Sequence, residues 1–307
     1  MKQIKIANTD MEVSQISLGC MRIAGLTNNE VERLVKTALD EGINYFDHAD
    51  IYGKGKSEEI FSEVIGMNSS LREKMFIQSK CGINQKDGNY DFSKEYILES
   101  VDGILKRLKT DYLDALLLHR PDALAEPEEV AEAFNILKNS GKVRNFGVSN
   151  HNSLQIELLQ KYLDQKIVFN QLQLSVTNSG MIRTGLNVNM ENEAGINRDG
   201  SVLDYCRLND ITIQTWSPFQ YGFFEGVFLN NDKFPELNKT IDEIAARYGV
   251  SNTTIAMAWI LRHPAKMQGI AGTTNVERLK EICKASDIVL TRKEWYDIFK
   301  AAGNTLP

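Results

Sequence analysis

The chain has no run of about twenty apolar residues, so no segment is expected to cross a membrane as a helix. It is short of positive charge: 35 Lys and Arg stand against 41 Asp and Glu, a net charge of -6 at pH 7. That balance argues against nucleic acid or an anionic membrane surface as partner, since both recognise a basic face. Cysteine is scarce, and Cys20, Cys81, Cys206 and Cys283 form neither a C-x-x-C pair nor a metal-finger spacing. With no signal-peptide pattern at Met1-Lys-Gln-Ile-Lys5, they read as reduced thiols, and the expected location is cytoplasmic. There are only four histidines, and no H-x-H pair closes the first strand candidate, so no metal site is expected. No G-x-G-x-x-G follows any early strand candidate, which removes the usual sign of a Rossmann dinucleotide site.

What is present is alternation. Short apolar runs fall at Ile16–Gly19, 44–49, 75–80, 113–119, Val143–Ser149, 167–172, 211–216 and Gln268–Ala271. Amphipathic stretches separate them at 29–41, 57–66, 93–109, 126–139, 153–163, 201–208 and 241–262, and 275–285 follows the last. Ser57, Ser93 and Pro127 precede paired or single carboxylates, as helix starts do, and Gly42, Gly66, Gly141 and Gly249 stand where helices should stop. Eight strand–helix units imply a parallel sheet closing into an α/β TIM (β/α)8 barrel, for which 307 residues suffice as one domain, 1–307. The opening stretch, 4–13, reads as a β-hairpin capping the barrel floor. Two connections, 177–200 and 219–237, exceed simple turns and would rise as long loops on the catalytic rim.

Three of the strand candidates end in polar side chains that move protons. Asp47 and Tyr52 follow the second, Lys80 closes the third, and His119 closes the fourth. Parallel neighbours would bring all four to one rim, where such barrels keep their chemistry. Alternation points Asp47 and Ala49 one way and His48 the other. Tyrosine is a poor acid at neutral pH, with a pKa of about 10, and a Lys80 ammonium beside it would lower that value. Asp47 would hold Lys80 charged, and His119 would donate to, or relay a proton toward, a substrate oxygen. Each residue alone has a plainer reading, as a helix cap, a solvated rim lysine or a packed loop aromatic. Together they point to protonation of a carbonyl oxygen as hydride arrives.

At this point the chain resembles the aldo-keto reductase superfamily. The likeness rests on Phe46-Asp-His-Ala-Asp-Ile-Tyr-Gly53, Gln78-Ser-Lys80, Leu116-Leu-Leu-His-Arg-Pro-Asp122, Phe146-Gly-Val-Ser-Asn150, Phe169-Asn-Gln171, Trp216-Ser-Pro-Phe219 and Gly272-Thr-Thr-Asn-Val-Glu-Arg278. The resemblance implies an NADPH-dependent (NADP+-linked) oxidoreductase reducing an aldehyde or ketone to an alcohol. Tyr52 would be the general acid, supported by Asp47, Lys80 and His119. It further implies that Ser149, Asn150 and Gln171 hold the nicotinamide carboxamide and that Trp216 stacks on the ring, where the family often has Tyr. Ser217, Pro218 and Phe219 would extend that contact, and Thr273, Thr274 and Arg278 would grip the 2′-phosphate. Two positions depart from the family pattern: Gly272 where many members have a phosphate-binding Lys, and Ile282 where many have an adenine-contacting Asn.

Phe219, Tyr221, Phe223, Phe224 and Phe228 offer aromatic walls for an apolar carbonyl substrate, although some are expected only to pack their loop. The insertion 181–190, similar to one in a bacterial oxidoreductase branch, would fold over the cofactor or form a small hairpin. A monomer or small homo-oligomer is expected. Two other readings stay open: a non-catalytic NADPH-binding regulatory subunit, disfavoured by an intact set of four and no long extension before the hairpin, and a metal-dependent hydrolase on the same barrel.

Overall fold

All eight apolar runs become neighbouring strands of one closed barrel in the computed structural model, which describes residues 1–307. The strands are β1 (Ile16–Gly19), β2 (Tyr45–Asp47), β3 (Phe76–Cys81), β4 (Leu113–Leu118), β5 (Val143–Ser149), β6 (Ile167–Gln173), β7 (Thr212–Trp216) and β8 (Gln268–Ala271). Every pairing is parallel, and β8 pairs with β1 to close the ring. No helix is long and apolar enough to cross a membrane.

The strands are apolar on both sides because both sides are covered. Outward-facing Phe46, Ile77, Leu116, Leu118, Phe146 and Val148 join a core of 66 buried residues beneath the helices. Inward-facing Tyr45, Ala115, Leu117 and Phe169 form a second cluster with Ile6, Met11 and Val13. Those last three belong to the opening hairpin, Gln3–Lys5 paired antiparallel with Glu12–Ser14, which plugs the floor as expected. At its floor, then, the barrel interior is a packed apolar solid.

The structure departs from the sequence pattern in several places. The stretch 241–262 is two helices, Pro235–Tyr248 and Asn252–Leu261. Gly249 takes a left-handed φ of +64° at the break, and Ser251 restarts the chain by accepting a hydrogen bond from Thr254 N. The insertion 177–200 holds a helix, Gly180–Leu186, instead of a hairpin. A small hairpin, Ile83–Asn84 with Asn89–Tyr90, rises after β3, and a helix, Arg292–Ala301, ends the chain.

Gly147 on β5 shows how tight the floor is. A Cβ there would lie 2.9 Å from Phe169 Cβ and 3.1 Å from Leu117 Cδ1. Gly147→Val should therefore cost about 1–3 kcal/mol by overpacking, read as a lower urea midpoint; an unchanged midpoint would mean the floor has slack.

Candidate active site

Strand ends and one tight turn bring the four polar residues together. Lys80 is fully buried, and its Nζ donates to Asp47, 2.8 Å from Oδ1 and 3.0 Å from Oδ2. It also donates to His48 O at 2.8 Å and Tyr52 Oη at 3.0 Å. Tyr52 is delivered by a sharp reversal in which Gly53 and Lys54 both adopt left-handed φ, +58° and +56°. A side chain at Gly53 would meet Ala24 Cβ at 2.6 Å, so glycine is required there. The Tyr52 ring meets the His119 ring edge-on at 6.0 Å.

The charges are arranged to keep one proton on Tyr52. Burial raises the Tyr52 pKa above its usual value; Lys80 acts in the lowering direction, and Asp47 partly cancels it. The expected net lowering by Lys80 is thus reversed, because a paired ammonium is a weaker perturber than desolvation. Burial likewise works against the charge of Lys80, but Asp47 and Tyr52 more than offset it, so its pKa is raised. His119 is held neutral: burial, then Lys80 and Arg120, push its pKa well below the usual histidine value. Its Nδ1 is buried without a partner. A neutral ring with its N–H on Nε2 would have one hydrogen bond to offer the adjoining cavity.

Beneath this cluster lies a layer of amides. Asp47 Oδ1 accepts from Gln78 at 2.5 Å and from Gln171 at 2.9 Å. Gln214 Oε1 accepts from the same two amides, at 3.0 and 3.2 Å, and Gln214 Nε2 donates to Gln268 at 2.9 Å. Gln268 reaches Ser14 O at 2.8 Å, and Tyr45 Oη donates to Gln78 Oε1 at 2.8 Å. The chain of bonds therefore runs from the plugged floor to the rim. Gln171 spends its NH2 on Asp47 and Gln214, which leaves its Oε1 as an acceptor.

A cavity of about 600 Å³ opens above, lined by Asp47, Tyr52, His119, Ser149, Asn150, Gln171, Trp216, Ser217, Pro218, Phe219, Thr273 and Arg278. Lys80 lies behind this wall, and Thr274 does not line it. Ser149 and Asn150 bond to each other at 2.8 Å, and Trp216 Nε1 donates to Asn150 Oδ1 at 3.1 Å. Asn150 and Ser217 hold left-handed φ of +60° and +52°, strain of the kind that collects at binding sites. Asn275 caps the helix Val276–Lys284 by accepting from Arg278 N, so that amide is already used. Ile282 is buried in the core. Of the five loop aromatics, Phe219, Phe223 and Phe224 line the cavity, whereas Tyr221 packs on Phe234 and Phe228 is buried. None of residues 177–200 reaches it, contrary to the expected cover.

Two arginines went unnoticed in the sequence. Arg22, just past β1, lines the cavity and donates from Nη1 to Gly272 O at 2.9 Å. Its guanidinium lies 3.5 Å from where a Cβ on Gly272 would stand, so it brings a cation to a position that lacks its own. Arg120, next to His119, lines the mouth. Their place directly after strand ends was the available signal. Of the remaining histidines, His48 faces outward, edge-on to Phe61 at 4.6 Å, and nowhere do three His, Cys, Asp or Glu side chains converge to hold a metal.

The structure is a closed eight-stranded α/β barrel with a buried, hydrogen-bonded Lys–Asp–Tyr set and a histidine at its carboxyl rim. The chain belongs to the aldo/keto reductase family, whose model matches residues 15–302. It is 36% identical to the uncharacterized oxidoreductase YcsN of Bacillus subtilis, covering 98% of both chains. It is 33% identical to a 6-dehydroglucose reductase of Novosphingobium aromaticivorans, over 99% of this chain and 96% of that one. Among solved structures it superposes on the thermostable aldo-keto reductase Tm1743, in complex with the inhibitor epalrestat, with a TM-score of 0.79, 28% identity and coverage of 98% and 100%.

Asp50, in the turn before Tyr52, carries a cost. Burial and then Glu58 raise its pKa to about 7, and its Oδ1 has no partner. The folded state keeps this proton to higher pH than the unfolded chain does, so stability falls between about pH 4 and pH 7 and is flat above. Asp50→Asn should accordingly be the more stable protein at pH 7.5, by as much as about 4 kcal/mol. The advantage should vanish as pH falls toward 4. Urea unfolding at both values checks it, and an equal difference at both would refute the burial of an unpaired carboxyl.

Proposed function

We propose that the protein is an NADPH-dependent reductase that converts an aldehyde or ketone to an alcohol, with Tyr52 as the general acid. The observation that carries this reading is the 3.0 Å contact between Tyr52 Oη and a buried, fully donated Lys80 Nζ. Bound NADPH would supply hydride to the carbonyl carbon. Tyr52 would give its proton to the carbonyl oxygen, and the Lys80 ammonium would stabilise the phenolate left behind. Neutral His119 would orient the oxygen through a single hydrogen bond. Burial that holds Tyr52 protonated suits a donor, and the paired Asp47 lets Lys80 stay charged without a field that would strip the proton early.

The cavity residues suit that cofactor. The free Oε1 of Gln171 would accept from the carboxamide NH2, and Ser149 and Asn150 would exchange their mutual bond for carboxamide contacts. Trp216 would supply the stacking face, with Ser217, Pro218 and Phe219 along the cofactor's edge. Arg22 and the exposed, unpaired Arg278 would meet phosphate, with Thr273 beside them and Thr274 outside the cavity lining. Supporting the cofactor choice, an aldo-keto reductase from Klebsiella pneumoniae crystallised with NADPH shares the fold, with a TM-score of 0.78 at 21% identity.

Two substitutions test the assignment. Tyr52→Phe should lower kcat by about 10³-fold or more, the scale of lost general-acid catalysis, while NADPH still quenches tryptophan fluorescence. Trp259 and Trp295 are stacked on each other at 4.8 Å in the core, so Trp216 is the reporter in the cavity. Retained turnover in Tyr52→Phe would sink its role. Arg278→Ala should weaken NADPH by roughly tenfold, one charge-assisted contact, and leave NADH nearly unchanged; equal losses would refute a 2′-phosphate contact.

A further inference from the structure

Arg120 is the one cavity cation whose partner is missing at the substrate end. Its guanidinium carbon lies 5.7 Å from the Trp216 ring centre and 5.8 Å from that of Phe223, near the outer limit for a cation–π contact. The titratable neighbours that bear on it are Tyr90, Tyr52 and His119, none of them a carboxylate, and burial pulls its pKa below the usual arginine value. Two other arginines drawn into the fold do have carboxylate partners. Arg72, 5% exposed, meets Asp114 at 2.7 Å, and Arg107, 25% exposed, meets Glu58 at 2.8 Å. Among the charged residues lining the cavity, Arg22, Arg278 and Arg120 face a single acid, Asp47, which Lys80 already neutralises. A half-desolvated guanidinium without a counter-ion is costly, and its planar fork matches a carboxylate or phosphate.

The walls beside it are apolar. Ile51, Ile83, Phe223 and Phe224 line the same mouth, and the two phenylalanines are 65% and 46% exposed. Such surface suits the hydrocarbon body of a ligand whose charged end reaches Arg120 and whose carbonyl reaches Tyr52.

Resting on the reductase reading above, we propose that Arg120 anchors a negatively charged group of the substrate, so that the preferred substrates are aldehydes or ketones bearing a carboxylate or phosphate. The charged group takes no part in the chemistry. Bound NADPH would supply hydride to the carbonyl carbon and become NADP+, while the C=O π bond breaks and Tyr52 would give its proton to the oxygen. Tyr52 recovers its proton from solvent.

The test is kcat/KM at saturating NADPH for matched pairs: 4-carboxybenzaldehyde against its methyl ester, succinic semialdehyde against butanal, and glyceraldehyde 3-phosphate against glyceraldehyde. The wild type should favour the charged member of at least one pair by about tenfold, and which pair separates carboxylate from phosphate as the natural anion. In Arg120→Met that ratio should fall to about one or below, and Arg120→Lys should restore part of it, while high salt should erode it in the wild type. Neutral members reduced as well as charged ones by the wild type would overturn the proposal, without any variant having to fold. So would an Arg120→Met protein that keeps the ratio, or one that loses NADPH affinity and both substrates equally, which would assign Arg120 to the cofactor. Absence of turnover with every aldehyde despite NADPH quenching would instead overturn the reductase reading on which this one rests.

Discussion

The buried contact between Lys80 and Asp47 governs the rest of the site. An ammonium with no exposed surface loses several kcal/mol of hydration, and only a full set of acceptors makes that tolerable. Asp47, His48 O and Tyr52 Oη supply it. Asp47 in turn needs donors, and Gln78 and Gln171 provide them. Their amides are then fixed by Gln214, which is fixed by Gln268, which ends on the hairpin at Ser14 O. Where most such barrels fill their middle layer with branched aliphatics, this one carries glutamines because a charge sits above. The hairpin that plugs the floor is thereby bonded, through five side chains, to the residue proposed to protonate substrate.

Because the pair is neutral as a unit, it orients Tyr52 without pulling away its proton. Burial then dominates, and the phenol stays protonated. The same economy appears along the cavity wall, where Asn150, Ser149 and Trp216 satisfy one another. A ligand must exchange those bonds, not merely add new ones, and the left-handed backbone at Asn150 and Ser217 holds the wall in place for that exchange. Preorganisation of this kind reduces the reorganisation needed when charge develops on a substrate oxygen.

The strands and the four rim residues were legible because each lies in a short apolar run punctuated by turns, and because one chemistry explains four positions at once. Other features depend on information that no linear pattern carries. Gly249 was marked as a stop, but the fresh start at Asn252 was hidden because residues 253–261 are all buried, so their apolar character ran on from the helix before them. The terminal helix had its capping box, Thr291 with Glu294, but no strand ahead of it to complete the alternation. The direction of the Tyr52 shift was misjudged because the sequence shows the neighbouring cation and not the depth of burial. Arg22 and Arg120 were missed for a related reason: what marks them is the absence of a carboxylate nearby, which only the folded chain displays.

Those arginines also resolve an apparent contradiction between the protein's charge and its proposed ligands. With a net charge of -6, the molecule as a whole repels anions. At physiological ionic strength that repulsion is screened beyond about 8 Å, so it acts weakly on approach and cannot decide what is held. Inside the cavity the screening is poorer, and Arg22, Arg120 and Arg278 face one acid that is already neutralised. The local field is therefore opposite in sign to the global one. Selection for the proposed anionic ligands would then reside in contact with the three guanidinium groups that line the cavity, and not in long-range steering. A neutral carbonyl compound would meet the same proton donor but leave one of those charges without a partner. That difference is where discrimination between substrates has its physical basis.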